Sequence, residues 1–166
     1  MKRLFLLSFI LLLVATNAMA TDLREGFGKY RFGQTCRELF SGPSFAIERA
    51  RPIWDPQVQM FNLEYDPAKV AQSPFILHYD KEEKPNFEGI PLGRVFYGCN
   101  KDTDRFSLVV LSHDLLAVDK LIQKTTELLG EPTRSTMVQT IWVLPDLYVQ
   151  IDQVFVIIYD RRAGKI

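Results

Sequence analysis

The segment from Ser112 to Pro132 carries the clearest structural pattern in the chain. Its apolar residues recur at helical spacing, Ser112 is a natural N-cap, and Asp114 complements the helix dipole in the first turn. Gly130 and Pro132 provide a stop. The stripe consists of Leu115, Val118, Leu121, Ile122, Leu128 and Leu129. The pattern predicts a long amphipathic helix whose apolar face must be buried against another element.

Three strand-like runs follow the predicted helix, at residues 137–144, 147–151 and 154–159. Pro145-Asp146 and Asp152-Gln153 separate them as turn signals. A three-stranded antiparallel meander packed on the helix is the economical arrangement, because one sheet face and one helix stripe can bury each other.

The preceding part of the chain predicts a shorter helix and further strands. Thr35 and Glu38 match a capping box, and Ser41-Gly42-Pro43 ends the short helix. Strand-like runs, several of them shortened by prolines, then follow at residues 45–51, 61–65, 75–79, 94–99 and 106–111.

These patterns predict an α+β fold in which an antiparallel sheet packs on one long and one short helix. Residues 21–166 have the length of one domain. The ends of the two helices echo each other, Glu-Leu-Phe-Ser-Gly-Pro at residues 38–43 and Glu-Leu-Leu-Gly-Glu-Pro at residues 127–132. This similarity has two interpretations. Either the chain contains an internal repeat of residues 31–111 and 112–160, or the two helix ends are alike only because helices commonly end at Gly and Pro.

The first twenty residues have the three parts of a secretory signal: a basic start, an apolar run from Leu4 to Val14, and small residues ending at Ala20. The run is too short to span a membrane as a helix. We expect cleavage after Ala20 and a mature protein in the periplasm or outside the cell.

The charge balance of the mature chain excludes some classes of partner. Without Lys2 and Arg3, eighteen basic side chains stand against twenty acidic ones. This balance gives no electrostatic case for nucleic acid or for an anionic membrane surface. No cofactor is expected: the alternating Asn100, Asp102 and Asp104 fail as a calcium loop, because the sixth position is arginine rather than glycine.

Cys36 and Cys99 are the two cysteines of the chain. In an oxidising compartment an even count favours a disulfide between them. The alternatives are two buried thiols that pack as small hydrophobic groups, or a reactive Cys36 whose pKa is lowered by a helix start and by the adjacent Arg37.

The segment 31–38, Arg-Phe-Gly-Gln-Thr-Cys-Arg-Glu, together with Leu-Leu-Gly-Glu-Pro at 128–132 and Trp142, resembles small exported bacterial domains of the β-lactamase-inhibitor-protein-like kind. That group includes the small lipoprotein subunit of the outer-membrane β-barrel assembly machinery. The resemblance is best over the last fifty residues and implies a curved antiparallel sheet and a role in binding other proteins. The chain departs from the lipoprotein members because no cysteine adjoins the expected cleavage site.

One face of the last strands combines aromatic and polar residues. Tyr148, Gln150 and Asp152 alternate along the chain and fall on one side, and Trp142 belongs to the neighbouring run. An outward aromatic set on a sheet is typical of a protein-binding surface. These four residues are therefore the candidate binding face.

Three functions remain open from the sequence. The first is a non-enzymatic binding or adaptor protein of the bacterial cell envelope whose partner is another envelope or extracellular protein. The second is a small hydrolase that uses Cys36 with His78 or His113 as the base, which a disulfide at Cys36 would abolish. The third is a small-ligand carrier in which the proline-rich middle segment forms a pocket wall.

Overall fold

A computed structural model describes residues 22–163, and the predicted signal peptide and cleavage site lie outside the described residues. The structure is dominated by β-strands. They are Gly26–Phe27 (β1), Tyr30–Arg31 (β2), Phe45–Ile47 (β3), Arg51–Asp55 (β4), Met60–Glu64 (β5), Phe75–Asp80 (β6), Asn86–Phe87 (β7), Ile90–Pro91 (β8), Arg94–Asn100 (β9), Arg105–Ser112 (β10), Arg134–Ser135 (β11), Gln139–Val143 (β12), Leu147–Asp152 (β13) and Phe155–Asp160 (β14).

The helices are few and mostly short. Cys36–Leu39 (α1) and Pro67–Val70 (α2) are single turns, and Val118–Leu129 (α3) continues a 3₁₀ turn at Leu115–Ala117. A second 3₁₀ turn, Arg161–Ala163, follows the last strand. The prediction of a sheet packed on one long and one short helix is therefore wrong, since α1 is a single turn and cannot cover a sheet face.

Eight strands form one antiparallel sheet in the order β11-β12-β13-β14-β10-β9-β6-β3. The first half of the chain contributes β3, β6, β9 and β10, and the second half contributes β11 to β14. The final strands of the two halves, β10 and β14, pair at the centre. The duplication suggested by the sequence stays a prediction, and the three-stranded meander β12-β13-β14 is one part of a much larger sheet.

The short helix begins directly after Thr35, as predicted, but without the predicted capping hydrogen bond, and the predicted start of the long helix at Ser112 is wrong. Ser112 ends β10, and Asp114 caps the 3₁₀ turn instead, because its Oδ1 accepts from the amide of Leu116 at 3.0 Å. The side chain of Thr35 caps nothing and instead accepts from Arg105 Nη1 at 3.2 Å. The predicted helix end at Gly130 is confirmed, with a φ of 84° that favours glycine.

One face of the sheet is covered by helix α3 and by the N-terminal segment. Leu121 of α3 is fully buried there beside Trp142 and Val149 of the sheet. The indole Nε1 of Trp142 donates to the carbonyl oxygen of Gly130 at 2.8 Å, so this strand also holds the end of the helix.

The opposite face is covered by the hairpin of β4 and β5. Phe61 of this hairpin is 1% exposed and packs edge-on against Tyr148 and Tyr159 of the sheet. Pro52 is tolerated in β4 because β4 and β5 form a separate two-stranded sheet, in which a strand has only one paired edge.

The buried side chain of Gln150 makes two hydrogen bonds from the sheet to this hairpin. Gln150 Oε1 accepts from the backbone amide of Phe61 at 3.0 Å, and Gln150 Nε2 donates to the carbonyl oxygen of Phe61 at 3.0 Å. Gln150 thus satisfies both backbone polar groups of one buried residue, as a neighbouring strand would. It links elements that are 89 residues apart in sequence.

Replacing Gln150 should loosen the hairpin. We expect Gln150→Met to lower the free energy of unfolding by about 2–4 kcal/mol, because the substitution leaves the buried amide and carbonyl of Phe61 without partners. Urea denaturation measures the change. The matched control is Gln57→Met in the exposed turn of the same hairpin, which should change stability by no more than about 0.5 kcal/mol. Equal effects of the two substitutions would contradict the role assigned to Gln150.

Candidate binding surface

The predicted binding face lies in the interior of the protein. Tyr148 and Gln150 are 2% and 0% exposed, because the β4–β5 hairpin covers this side of the sheet. Trp142 is fully buried on the opposite face, and Asp152 is half-buried at the end of β13. The expectation that these residues face outward is wrong, and the polar atoms of Tyr148 and Gln150 are used internally: the Tyr148 hydroxyl donates to Gln150 Oε1 at 2.8 Å.

Among the described residues, five of the ten exposed large apolar side chains lie instead at one end of the sheet. Three connections meet at this end: residues 113–117 after β10, residues 136–138 before β12, and residues 153–154 between β13 and β14. Their strands are consecutive in the sheet order, so the connections span three strand spacings, about 14 Å. We call their exposed aliphatic side chains the three-turn surface; it consists of Leu115, Leu116, Met137, Val138 and Val154.

The exposure of these side chains is unusually high for aliphatic residues. Met137 is 100% exposed, Leu116 is 88% exposed and Val154 is 51% exposed. Single exposed aliphatic residues are ordinary, but a contiguous group marks an interaction site. The concentration in three neighbouring turns makes this end of the sheet the best candidate site.

The three turns share one local structure. In each, a polar side chain accepts from the backbone amide of the aliphatic residue two positions later. Asp114 Oδ1 binds the amide of Leu116 at 3.0 Å, Thr136 Oγ1 binds that of Val138 at 3.3 Å, and Asp152 Oδ1 binds that of Val154 at 2.8 Å. Such side-chain turns fix the backbone locally. The aliphatic side chains are therefore presented on braced turns.

Further hydrogen bonds brace the same turns against the sheet. The amide of His113 donates to the carbonyl oxygen of Val154 at 3.1 Å, which joins two of the turns directly. The amide of Thr136 donates to the carbonyl oxygen of Gln139 at 2.8 Å and closes the third turn onto β12. These backbone contacts add to the side-chain hydrogen bonds that stabilise the three turns.

The sequence interpretation missed this surface for a specific reason. Helical spacing places Leu115 in the predicted buried stripe, and residues 137 and 154 begin predicted strands. The available signal was the repeated pattern of an Asp or Thr followed at the second position by an aliphatic residue, directly beside a strand. Hydrophobic periodicity does not distinguish such exposed residues from buried ones, because they continue the apolar run of the adjoining strand or helix.

The predicted disulfide between Cys36 and Cys99 is confirmed. It joins α1 to β9 across 63 residues, and both cysteines are buried. A hydrolase built on Cys36 needs a free thiolate, which the disulfide removes. His113, the second base considered, directly follows the end of β10. Cys36 lies at the other end of this strand, because its amide donates to the carbonyl oxygen of Asp104, the residue before β10. The length of β10, roughly 25 Å, therefore separates His113 from Cys36.

A buried acid–tyrosine pair lies on the helix-covered side of the sheet. The hydroxyl of Tyr97 lies 2.7 Å and 2.8 Å from the two carboxylate oxygens of Glu83 and donates to them. Burial raises the pKa of Glu83, and the Tyr97 hydrogen bond partly opposes this. Tyr97 is 0% exposed, so no substrate reaches its hydroxyl. The pair fastens the loop at residues 81–85 to β9.

The disulfide should be required for full stability. We expect the double variant Cys36→Ser, Cys99→Ser to lose about 4 kcal/mol of unfolding free energy, the chain-entropy value for a loop of this length. Urea denaturation measures the loss, and a reductant should not change the double variant further. Thiol titration of the unreduced, unfolded protein should find no reactive thiol; two thiols there would contradict the disulfide and restore Cys36 as a nucleophile.

Glu83 should make stability depend on pH. Because its pKa is raised in the folded state, the folded protein binds this proton more tightly than the unfolded chain. Protonated Glu83 therefore stabilises the folded protein below pH 4.5, the ordinary pKa of this side chain. The stabilisation is lost as the pH rises through the raised pKa of Glu83 in the folded state. As the pH rises from 4.5 to neutrality, the free energy of unfolding of Glu83→Gln should increase relative to that of the unsubstituted protein. Thermal unfolding across this pH range measures the trend, and Glu82→Gln in the same loop is the control. A stability difference between Glu83→Gln and the unsubstituted protein that does not change with pH would contradict the prediction.

Residues 22–163 contain no group of three or more His, Cys, Asp or Glu side chains arranged to hold a metal ion. Within the same residues, no helix has the length and apolar character needed to cross a membrane. Compared with protein-family models, with curated proteins and with solved structures, the chain gave no match.

Proposed function

We propose that this chain is an exported, non-enzymatic binding or adaptor domain of the bacterial cell envelope, and that it contacts a partner protein through the three-turn surface. The single observation that carries the proposal is the set of five exposed aliphatic side chains on three adjacent braced turns. The partner class is an envelope or extracellular protein with an apolar patch of matching width.

The energetics of this surface favour association. Fully burying one exposed aliphatic side chain stabilises a complex by about 1.5–3 kcal/mol. Several such side chains at the centre of an interface can supply most of its affinity. Because the turns are already braced by Asp114, Thr136 and Asp152, little backbone freedom is lost on binding.

The export signal and the disulfide support the proposed location. Residues 1–20 have the pattern of a cleavable signal, and disulfides persist in the periplasm and outside cells. The resemblance over residues 31–38 and 128–132 points to the same class of function, because members of that group bind other proteins.

Removing the aliphatic side chains should abolish partner binding. We expect the triple variant Leu116→Ser, Met137→Ser, Val154→Ser to bind its partner at least about 100-fold more weakly, because the anchors of the interface are gone. Immobilised mature protein captures the partner from envelope extract of the source bacterium, and biolayer interferometry then measures the affinity of the purified pair.

A second triple variant provides the matched control. Ile47, Tyr65 and Val143 are 59%, 65% and 40% exposed and lie outside the three turns, so their substitution by serine removes three exposed large side chains elsewhere. Circular dichroism and thermal unfolding establish that both variants are folded. Equal retention of one partner by all three proteins, or no specific partner for the unsubstituted protein, would contradict the proposal.

A further inference from the structure

A cleft of about 280 Å³ lies beside the disulfide, on the helix-covered side of the sheet. Its walls come from α1, from β6 and from the turn that follows β9. It is at the opposite end of the sheet from the three-turn surface, so it is independent of the proposed protein interface. Its volume is close to the lower limit for small-ligand sites, roughly 300 Å³.

Ile76 and His78 of β6 and Cys99 of β9 line the cleft beside helix α1. This helix ends at Leu39. Phe40, the next residue, is held between two rings: it stacks on His78 at 5.2 Å and on Tyr97 at 5.4 Å. The Cys36–Cys99 disulfide also lines the cleft.

The floor of the cleft is apolar. It is formed by Phe40, by Ile76 and by the Cys36–Cys99 disulfide. These groups offer packing to an apolar or aromatic body and give it few hydrogen-bonding partners.

The polar groups of the cleft are mainly hydrogen-bond donors. The ring nitrogens of His78 and the hydroxyl of Ser41 have no hydrogen-bond partner among residues 22–163. Arg37 is exposed, and within the described chain its ion pair is with Asp104 at a loose 3.9 Å. Lys101 Nζ donates to the carbonyl oxygen of Ala71 at 3.3 Å.

The charges of the lining favour an anion. Arg37 and Lys101 are cations, and Asp104 is the single acidic side chain of the lining. Burial, followed by the charge of Arg51, lowers the pKa of His78. A neutral imidazole at neutral pH still donates one N–H, so it adds a donor without adding charge.

We propose that this cleft binds a small organic anion, a carboxylate on an aromatic or compact apolar body. The carboxylate accepts hydrogen bonds from Arg37, Lys101 and the imidazole N–H of His78. The apolar body packs on Phe40, Ile76 and the disulfide. The proposal adds a ligand site to the chain and does not depend on the three-turn surface.

Benzoate is the probe that tests the proposal, and benzamide is its neutral counterpart of the same shape. In ¹H–¹⁵N NMR titrations of the mature protein, benzoate should cause saturable shifts confined to the amides of residues 36–41, 76–78 and 99–104. Benzamide should bind at least about tenfold more weakly, because it lacks the charge that strengthens the hydrogen bonds.

Two arginine variants separate a specific site from a general effect of charge. Arg37 is 87% exposed through its side chain, so Arg37→Gln should fold normally and should weaken benzoate binding at least about fivefold. Arg49→Gln removes an exposed arginine outside the cleft and should leave binding unchanged. The proposal is overturned by the absence of saturable shifts up to about 20 mM benzoate, by equal binding of benzamide, or by an Arg37→Gln variant that binds like the unsubstituted protein.

Discussion

The antiparallel pairing of β10 with β14 is the constraint on which the rest of the structure depends. It joins four strands from each half of the chain into one sheet, with Leu108 to Ser112 opposite Tyr159 to Phe155. Val109, Val110, Ile157 and Ile158 are almost fully buried along this ladder. Because the centre of the sheet is buried on both faces, each face needs its own cover.

Different elements cover the two faces of the sheet, and they determine which surfaces remain accessible to a partner. Helix α3 covers one face, and the β4–β5 hairpin, held by Gln150, covers the other. The centre of the sheet therefore cannot meet a partner in this arrangement. The two ends of the sheet remain accessible. The three-turn surface lies at one end, and the cleft beside the disulfide lies at the other.

Local sequence patterns predicted seven of the fourteen strands in residues 22–163 within one or two residues, namely β5, β6, β9, β10, β12, β13 and β14, because alternation and turn residues act over short distances. The run predicted at residues 45–51 is instead divided between β3 and the start of β4. The strand at Phe75–Asp80 and the helix end at Gly130 are examples. The start of the long helix was predicted wrongly. Ser112 reads as an N-cap by residue type, but its backbone continues the β10 ladder opposite Phe155. A ladder of hydrogen bonds outweighs a single cap, which contributes about 1 kcal/mol.

By itself the sequence determined the strand runs, the apolar stripe of α3 and the expectation of a disulfide, since each depends on residue type and short spacing. Only the tertiary structure decided that Gln150 faces Phe61 across 89 residues of chain, and therefore that the predicted binding face is interior. It also decided that three turns, separate in the sequence, meet at one end of the sheet. The physical reason is that strand order and face coverage depend on long-range burial, which local periodicity does not encode.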